Sequence, residues 1–200
     1  MSAAIAALIL AAGQSRRMGD RNKLLEEIDG KALAVSVADA ARSSKAQPII
    51  VVTGFESERI ETALAGQGMI FAHNPDYAQG MSTSLRRGLD ALPGDIQGVV
   101  VCLGDMPHLK ARHIDRLIDA FDPVTRPICV PVAGGKRGNP VLWGRQFFEE
   151  LSAVDGDTGG RNVIRRHQDK VRSVAIEDEA VLLDIDSPEE LEKARTITPR

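Results

Sequence analysis

Aromatic residues are scarce in this chain, with one Trp, one Tyr and five Phe among 200 residues. A surface that stacks the successive bases of a single strand needs more rings than that. A basic excess is missing as well. The formal net charge is -3, so the chain lacks the positive field that draws proteins to nucleic acid. Cysteine is almost absent. Cys102 and Cys129 each sit inside an apolar run, without metal-ligand spacing and without the pattern of a disulfide framework. Both are expected as buried thiols on strands. No apolar stretch is long enough to cross a bilayer. The apolar start of the chain has no basic flank and runs into a glycine-rich loop instead of a cleavage site, so a cytoplasmic location without membrane contact is expected. The four histidines (His73, His108, His113 and His167) are scattered. No Ser-His-Asp or Cys-His set is visible, and nothing argues for a covalent intermediate.

Hydrophobic residues make up 43% and charged residues 26%, an ordinary globular balance. The length suits one domain with a substantial core. Short apolar runs alternate with amphipathic stretches, which predicts β-α units around a mainly parallel sheet. Strands are expected at Ala4 to Leu10, Pro48 to Thr53, Met69 to Ala72, Gly98 to Leu103 and Val171 to Ile176. Helices are expected at Lys31 to Arg42, Glu56 to Ala65, Ser82 to Leu92, Ala111 to Phe121, Arg145 to Leu151 and Arg161 to His167. Ile128 to Val132 and Val141 to Trp143 read as a long hairpin or a lobe outside the α/β core. Ser187-Pro188-Glu189-Glu190 opens a last helix with an N-cap, a proline at the first helical position and a capping-box glutamate.

Chemistry concentrates in the loop after the first strand, Leu10-Ala11-Ala12-Gly13-Gln14-Ser15-Arg16-Arg17-Met18-Gly19, with Lys23 four residues on. A small-residue loop leaving a buried strand presents backbone N–H groups to an oxyanion. Arg16, Arg17 and Lys23 add three cations, and a triphosphate is the natural occupant; a solvated basic turn is the plainer alternative. Five residues separate Gly13 from Gly19 and Asp20 follows, so this is not a Walker loop. The dinucleotide fingerprint is absent too. Beyond the central strand stands Leu103-Gly104-Asp105-Met106-Pro107. Ligands of open α/β sheets bind beyond the carboxyl ends of strands, which sends Asp105 into the crevice of the first loop. A carboxylate there suits Mg²⁺, which binds one or two carboxylates together with substrate phosphates. Asp186, in Asp184-Ile185-Asp186-Ser187-Pro188, is a candidate second carboxylate, although an Asp before a helix start is also favoured by the helix dipole. Gly80, Ser82, Thr83 and Ser84 bring hydroxyls beside a glycine, suited to a base edge or ribose, and Ser82 is expected to cap its helix.

The pattern Leu-Ala-Ala-Gly-x-Ser-x-Arg-Met-Gly-x-x-x-Lys resembles the nucleotidyltransferases that build molybdenum cofactor dinucleotides, and more broadly those that act on sugar phosphates and methylerythritol phosphate. The likeness runs from Leu8 to Leu191. It implies one three-layer α/β/α, Rossmann-like nucleotidyltransferase domain over 1–200, with a mainly parallel sheet and a small antiparallel addition. The nucleotide part would cover about 1–110 and the acceptor part about 125–185. By resemblance Leu10, Ala11, Ala12, Gly13, Ser15 and Arg16 bind the nucleotide together with Asp76, Gly80, Ser82 and Ser84. Arg17, Lys23 and Asp105 carry catalysis, and Asp105 and Asp186 hold the metal. Asn139, Gly159, Gly160 and Arg161 receive the acceptor. Asn139 replaces the His of the Gly-His-Pro sequence usual in the cytidylyl branch, which leaves the acceptor open. The implied reaction is transfer of CMP from CTP to the phosphate of molybdopterin with loss of pyrophosphate. Ala12, where the guanylyl branch usually has Gly, and Lys23-Leu24-Leu25 tilt the choice to CTP over GTP. Alternatives are guanylyl transfer, a sugar or polyol phosphate acceptor, and a non-catalytic carrier that hands the cofactor to a molybdenum hydroxylase apo-enzyme.

Overall fold

The computed structural model describes residues 3–19, 21–156 and 159–196; Asp20, Asp157 and Thr158 lie outside them. The apolar first run forms β1 (Ile5–Ala11), which is buried on both faces. A small antiparallel ladder, β2 (Glu27–Ile28) with β3 (Lys31–Ala32), follows and turns at Asp29-Gly30. It takes the first residues of the stretch read as helix, so α1 is Leu33–Arg42. The chain continues through β4 (Ile49–Thr53), α2 (Ser57–Ala63), β5 (Ile70–His73), α3 (Met81–Asp90), β6 (Gly98–Leu103) and α4 (Ala111–Ala120). It then runs through β7 (Ile128–Ala133), β8 (Lys136–Arg137), β9 (Val141–Gly144), α5 (Phe148–Ser152), α6 (Arg161–Arg166), β10 (Val171–Ala175) and α7 (Pro188–Thr196).

The main sheet has the order β10-β7-β9-β6-β1-β4-β5, with β8 paired to β7. β1 lies parallel between β4 and β6, as expected for strands that are apolar throughout. Side chains of β1 alternate between two cores. Ile5, Ala7, Ile9 and Ala11 join Val37, Ile60 and Leu117 of α1, α2 and α4 on one face. Ala6 and Leu8 join Leu85, Leu151 and Val163 of α3, α5 and α6 on the other. Period-2 strands between amphipathic helices thus make three layers.

Of the two readings of this stretch, the long hairpin holds, since β7 and β9 pair antiparallel, and the lobe outside the core does not. β7 and β9 do not leave the core. β9 inserts antiparallel between β6 and β7, with Val99 opposite Trp143 and Ile128 opposite Trp143 on the other edge. Both strands are too apolar to stand outside, since Ile128, Cys129 and Leu142 have no exposed surface at all. Within the connection between them, the small β7–β8 pair turns at Gly134-Gly135.

Candidate active site

Because β9 runs against its neighbours, its first residue lies at their carboxyl ends. Val141 pairs with Val101, so the preceding Asn139-Pro140 stands at the edge where Leu103, Gly104 and Asp105 leave β6. The same edge receives the loop after β1.

That loop is shaped by its own residues. Ser15 adopts a left-handed conformation. Its carbonyl accepts from the Met18 N–H (2.7 Å) and its Oγ from the Lys23 N–H (3.1 Å). Met18 is buried in a satellite core with Ile28, Leu33, Ile185, Leu191 and Ala194. This apolar contact fixes the loop to α7 and to the residue just before Asp186. Asn22 accepts the Leu24 N–H on its Oδ1 and starts a short helical turn over Lys23–Leu25. Leu24 is buried, and Lys23 points into the crevice with 14% of its side chain exposed.

Gly104 brings β6 close to β1. Its N–H donates to the Leu10 carbonyl (3.1 Å), and a Cβ there would stand 2.9 Å from that oxygen. Only glycine lets the two strand ends approach so closely. Asp105 is thereby delivered to Lys23, whose Nζ donates to Asp105 Oδ2 at 2.6 Å and to Asp186 Oδ1 at 2.9 Å. The other oxygen of Asp186 pairs with Arg17 at 2.8 Å. The Ile185 N–H donates to the Asp105 carbonyl at 3.0 Å and locks the two acidic segments together. One ammonium therefore sits between two carboxylates, and Arg17 borders them at the surface.

The electrostatics follow from this arrangement. Burial pulls the Lys23 pKa down, but Asp105 and Asp186 outweigh it and hold the ammonium above its ordinary value. Burial pushes Asp105 up; Lys23 opposes this without cancelling it, and the charges of Asp184 and Asp186 add to the rise. Burial also acts on Asp186, yet Lys23 and Arg17 hold it below the usual carboxylate range. Oδ1 of Asp105 is buried and has no hydrogen-bond partner. A desolvated carboxylate oxygen left unpaired beside a second carboxylate is suited to a hard divalent cation, which takes oxygen ligands and completes its shell with phosphates and water. Among the described residues no group of three or more His, Cys, Asp or Glu side chains converges as a metal cage. Asp105 and Asp186 are the pair that fits the ion.

The proposed base-side residues are drawn together by Asn74, which the sequence reading did not single out. This asparagine is almost fully buried. Its Nδ2 donates to Thr83 Oγ1 and Ser84 Oγ, both at 2.9 Å, and its Oδ1 accepts from the Asp76 N–H at 3.0 Å. The available signal was the Asn-Pro-Asp order, since a short amide side chain accepts from the backbone two residues on. Ser82 is not the cap of α3. The cap position is Gly80, with φ 116°, while Ser82 is buried at the second helical position and its N–H donates to the Gly156 carbonyl. The Phe55 N–H donates to the Ala12 carbonyl, tying β1's loop to the end of β4. Ala11 and Ala12 are buried, whereas Gly13 and Arg16 are exposed, with Arg16 hydrogen-bonded to Gln14.

The acceptor candidates divide. The Asn139 N–H donates to the Val181 carbonyl at 2.8 Å, on the face that holds Val181 in the first core. Gly159 and Gly160 lie on the other face, close to Met81 Sδ and the Trp143 ring. Arg161 is exposed at the first position of α6. The structure thus joins Arg17, Lys23, Asp105 and Asp186 at one point, places Asn139 at the same sheet edge, and sets Gly159 to Arg161 beside the start of α3.

Residues 7–171 match the MobA-like NTP transferase domain. The chain is 30% identical to the molybdenum cofactor cytidylyltransferase of Escherichia coli over 96% of both chains. It is 28% identical to the purine catabolism protein PucB of Bacillus subtilis over 94% of both. Among solved structures it is similar to the Mycobacterium tuberculosis protein Rv0371c, with a TM-score of 0.84 and 26% identity, covering 97% of this chain and 98% of that one. A second crystal structure of that protein is a complex with manganese. The chain belongs to the MobA-like NTP transferase family of nucleotidyltransferases.

Proposed function

We propose that the enzyme transfers CMP from CTP to the phosphate of the molybdenum cofactor. An acceptor phosphate oxygen attacks the α-phosphorus in line, the bond from that phosphorus to the pyrophosphate oxygen breaks, and pyrophosphate leaves with the electron pair. The observation that carries this reading is the contact of Lys23 with both Asp105 and Asp186, with Arg17 on the outer oxygen. Charge gathers on the leaving pyrophosphate as the bond breaks, and preorganised cations that need no rearrangement lower that barrier. Lys23 and Arg17 are placed for this role, and the amides of Ala12 to Ser15 would orient the phosphates. Mg²⁺ held by Asp105 and Asp186 would neutralise the triphosphate. Lys23, which donates to both carboxylates, would turn from one of them to a phosphate oxygen. Asp76, Thr83 and Ser84, held by Asn74, would meet the base and ribose. Asn139 would take the acceptor, because an amide can donate to a phosphate and accept from a pterin.

Ala12 and the Escherichia coli relative's name favour CTP and the molybdenum cofactor over GTP. The test is pyrophosphate release with each NTP in turn, with and without the molybdenum cofactor. Release is expected with CTP, in the presence of both cofactor and Mg²⁺. Equal release with GTP would overturn the base assignment, and release that ignores the cofactor would overturn the acceptor.

A further inference from the structure

Between β10 and α7 the chain crosses the molecule as an irregular strap, residues 178–186. One end is tied to α4. Asp178 Oδ2 accepts from Arg112 at 2.7 Å and meets His113 Nε2 at 3.0 Å, while its Oδ1 accepts from the Ala180 N–H at 3.0 Å. His113 is 2% exposed. Its Nδ1 accepts the Lys110 N–H at 3.1 Å, so the imidazole proton stands on Nε2 and points at Asp178. Three residues on, Val181 has no exposed surface, and its carbonyl takes the Asn139 N–H. A Cβ on Gly138 would strike that same carbonyl, so the Gly138-Asn139 backbone rests directly on the strap. At the far end the Ile185 N–H is bonded to the Asp105 carbonyl, and Asp186 to Lys23 and Arg17.

We propose that Arg112, His113 and Asp178 are positioning residues for the acceptor: they set the strap, and through Val181 the strap sets Asn139. This rests on the acceptor role given to Asn139 above. Arg112 is an exposed partner and adds little alone; the buried imidazole and the Ala180 cap give the clamp its direction. The two ends of the strap respond differently to its loss. Asp186 has supports of its own, in Lys23, Arg17, the Ile185 hydrogen bond and the satellite core around Ile185. Asn139 depends on Val181, close to the clamp.

The experiment compares the full-length protein with Asp178→Ala and Asp178→Asn. Backbone amide exchange of Asn139 and Ile185 is followed by NMR, alongside steady-state kinetics with CTP and the molybdenum cofactor. In Asp178→Ala the Asn139 amide is expected to exchange about tenfold faster while Ile185 keeps its rate. The KM for the cofactor rises about tenfold and the KM for CTP stays within about twofold, since small misplacements of a contacting group cost that much. Asp178→Asn keeps an acceptor for only one of the Ala180 N–H and the His113 proton, since its amide nitrogen can only donate, and is expected to fall between the parent and Asp178→Ala in both readouts. Equal acceleration of the two amides means general loosening and overturns the inference, as does an unchanged Asn139 rate. A faster Asn139 amide with unaltered cofactor KM overturns the link to the acceptor. If the unmodified protein shows no cofactor-dependent pyrophosphate release, the acceptor assignment falls; the contrast between the two amides still decides whether the clamp sets the strap.

Discussion

At the scale of single residues, the site poses a question of charge balance. Lys23 faces two carboxylates, so removing either acid leaves the ammonium with one partner, whereas removing the lysine leaves two acids facing each other. Asp105 is not the solvent-facing group that a turn before a proline would suggest; only 15% of its side chain is exposed. Its raised pKa means that its charged form is held at a cost to the folded state. Asp105→Asn keeps the size and a hydrogen-bond acceptor for Lys23. We expect pyrophosphate release to fall by about 10² or more, while the melting temperature barely moves. Lys23→Met should behave in the opposite order of severity for stability. An unbalanced buried charge costs about 3 kcal/mol, and Mg²⁺ should recover more of that loss in the variant than it adds to the parent, by mass action on the folded state. Thermal denaturation with and without the ion checks both. A variant that melts like the parent and ignores Mg²⁺ would show that the two acids do not share a cation.

Among the elements, α4 carries two partners of Asp178, Arg112 and His113, and here pH is informative. Burial holds the His113 pKa below its ordinary value of 6.5, and Asp178 opposes this only in part. A histidine kept neutral in the fold contributes stability that is complete above 6.5 and is lost as pH falls below it, because the unfolded chain takes up the proton first. Asp178 adds a second, more acidic window. Burial raises it, but its bonds to Arg112, His113 and the Ala180 N–H outweigh this and bring it down to about 2. That contribution is present above 3.8 and is lost as pH drops toward 2. His113→Gln should therefore flatten the fall of melting temperature just below pH 6.5 and leave the more acidic part in place. An identical pH profile in the variant would remove His113 from the account.

The elements also divide by how visible they were. β1, β4 and β6 announce themselves by unbroken apolar runs, and the loop after β1 by Gly13, Ser15, Arg17 and Lys23 at fixed spacing. The capping box at Ser187 is observed, with the Ser187 N–H donating to Glu190 Oε2 at 3.0 Å and the Glu190 N–H to Ser187 Oγ at 3.3 Å. The hairpin of β7 and β9 was legible, but its insertion into the main sheet was not, because a four-residue strand carries no sign that β6 is its second neighbour; that pairing is a tertiary decision. The strap was invisible for a related reason. Its residues follow no period, and its role lies in carbonyls and N–H groups that any sequence possesses. Asn74 shows an intermediate case: its turn was legible, but not the pair of hydroxyls it holds.

For the molecule as a whole, the two cores on either face of the sheet supply stability, and the carboxyl edge supplies chemistry. No helix among the described residues is long and apolar enough to cross a membrane. The separation of core and edge predicts that chelation acts on turnover and not on the fold. EDTA should abolish pyrophosphate release while the circular dichroism spectrum stays the same, and Mg²⁺ or Mn²⁺ should restore it. Loss of helical signal on chelation would mean that the ion is structural.

Lys23 and Asp186 are 163 positions apart and still share a hydrogen bond. On a ribosome the lysine and Asp105 emerge long before the second acid, and the early strands can pair while the end of the chain is unmade. A nascent chain therefore holds only half of this charge cluster until Asp186 has emerged.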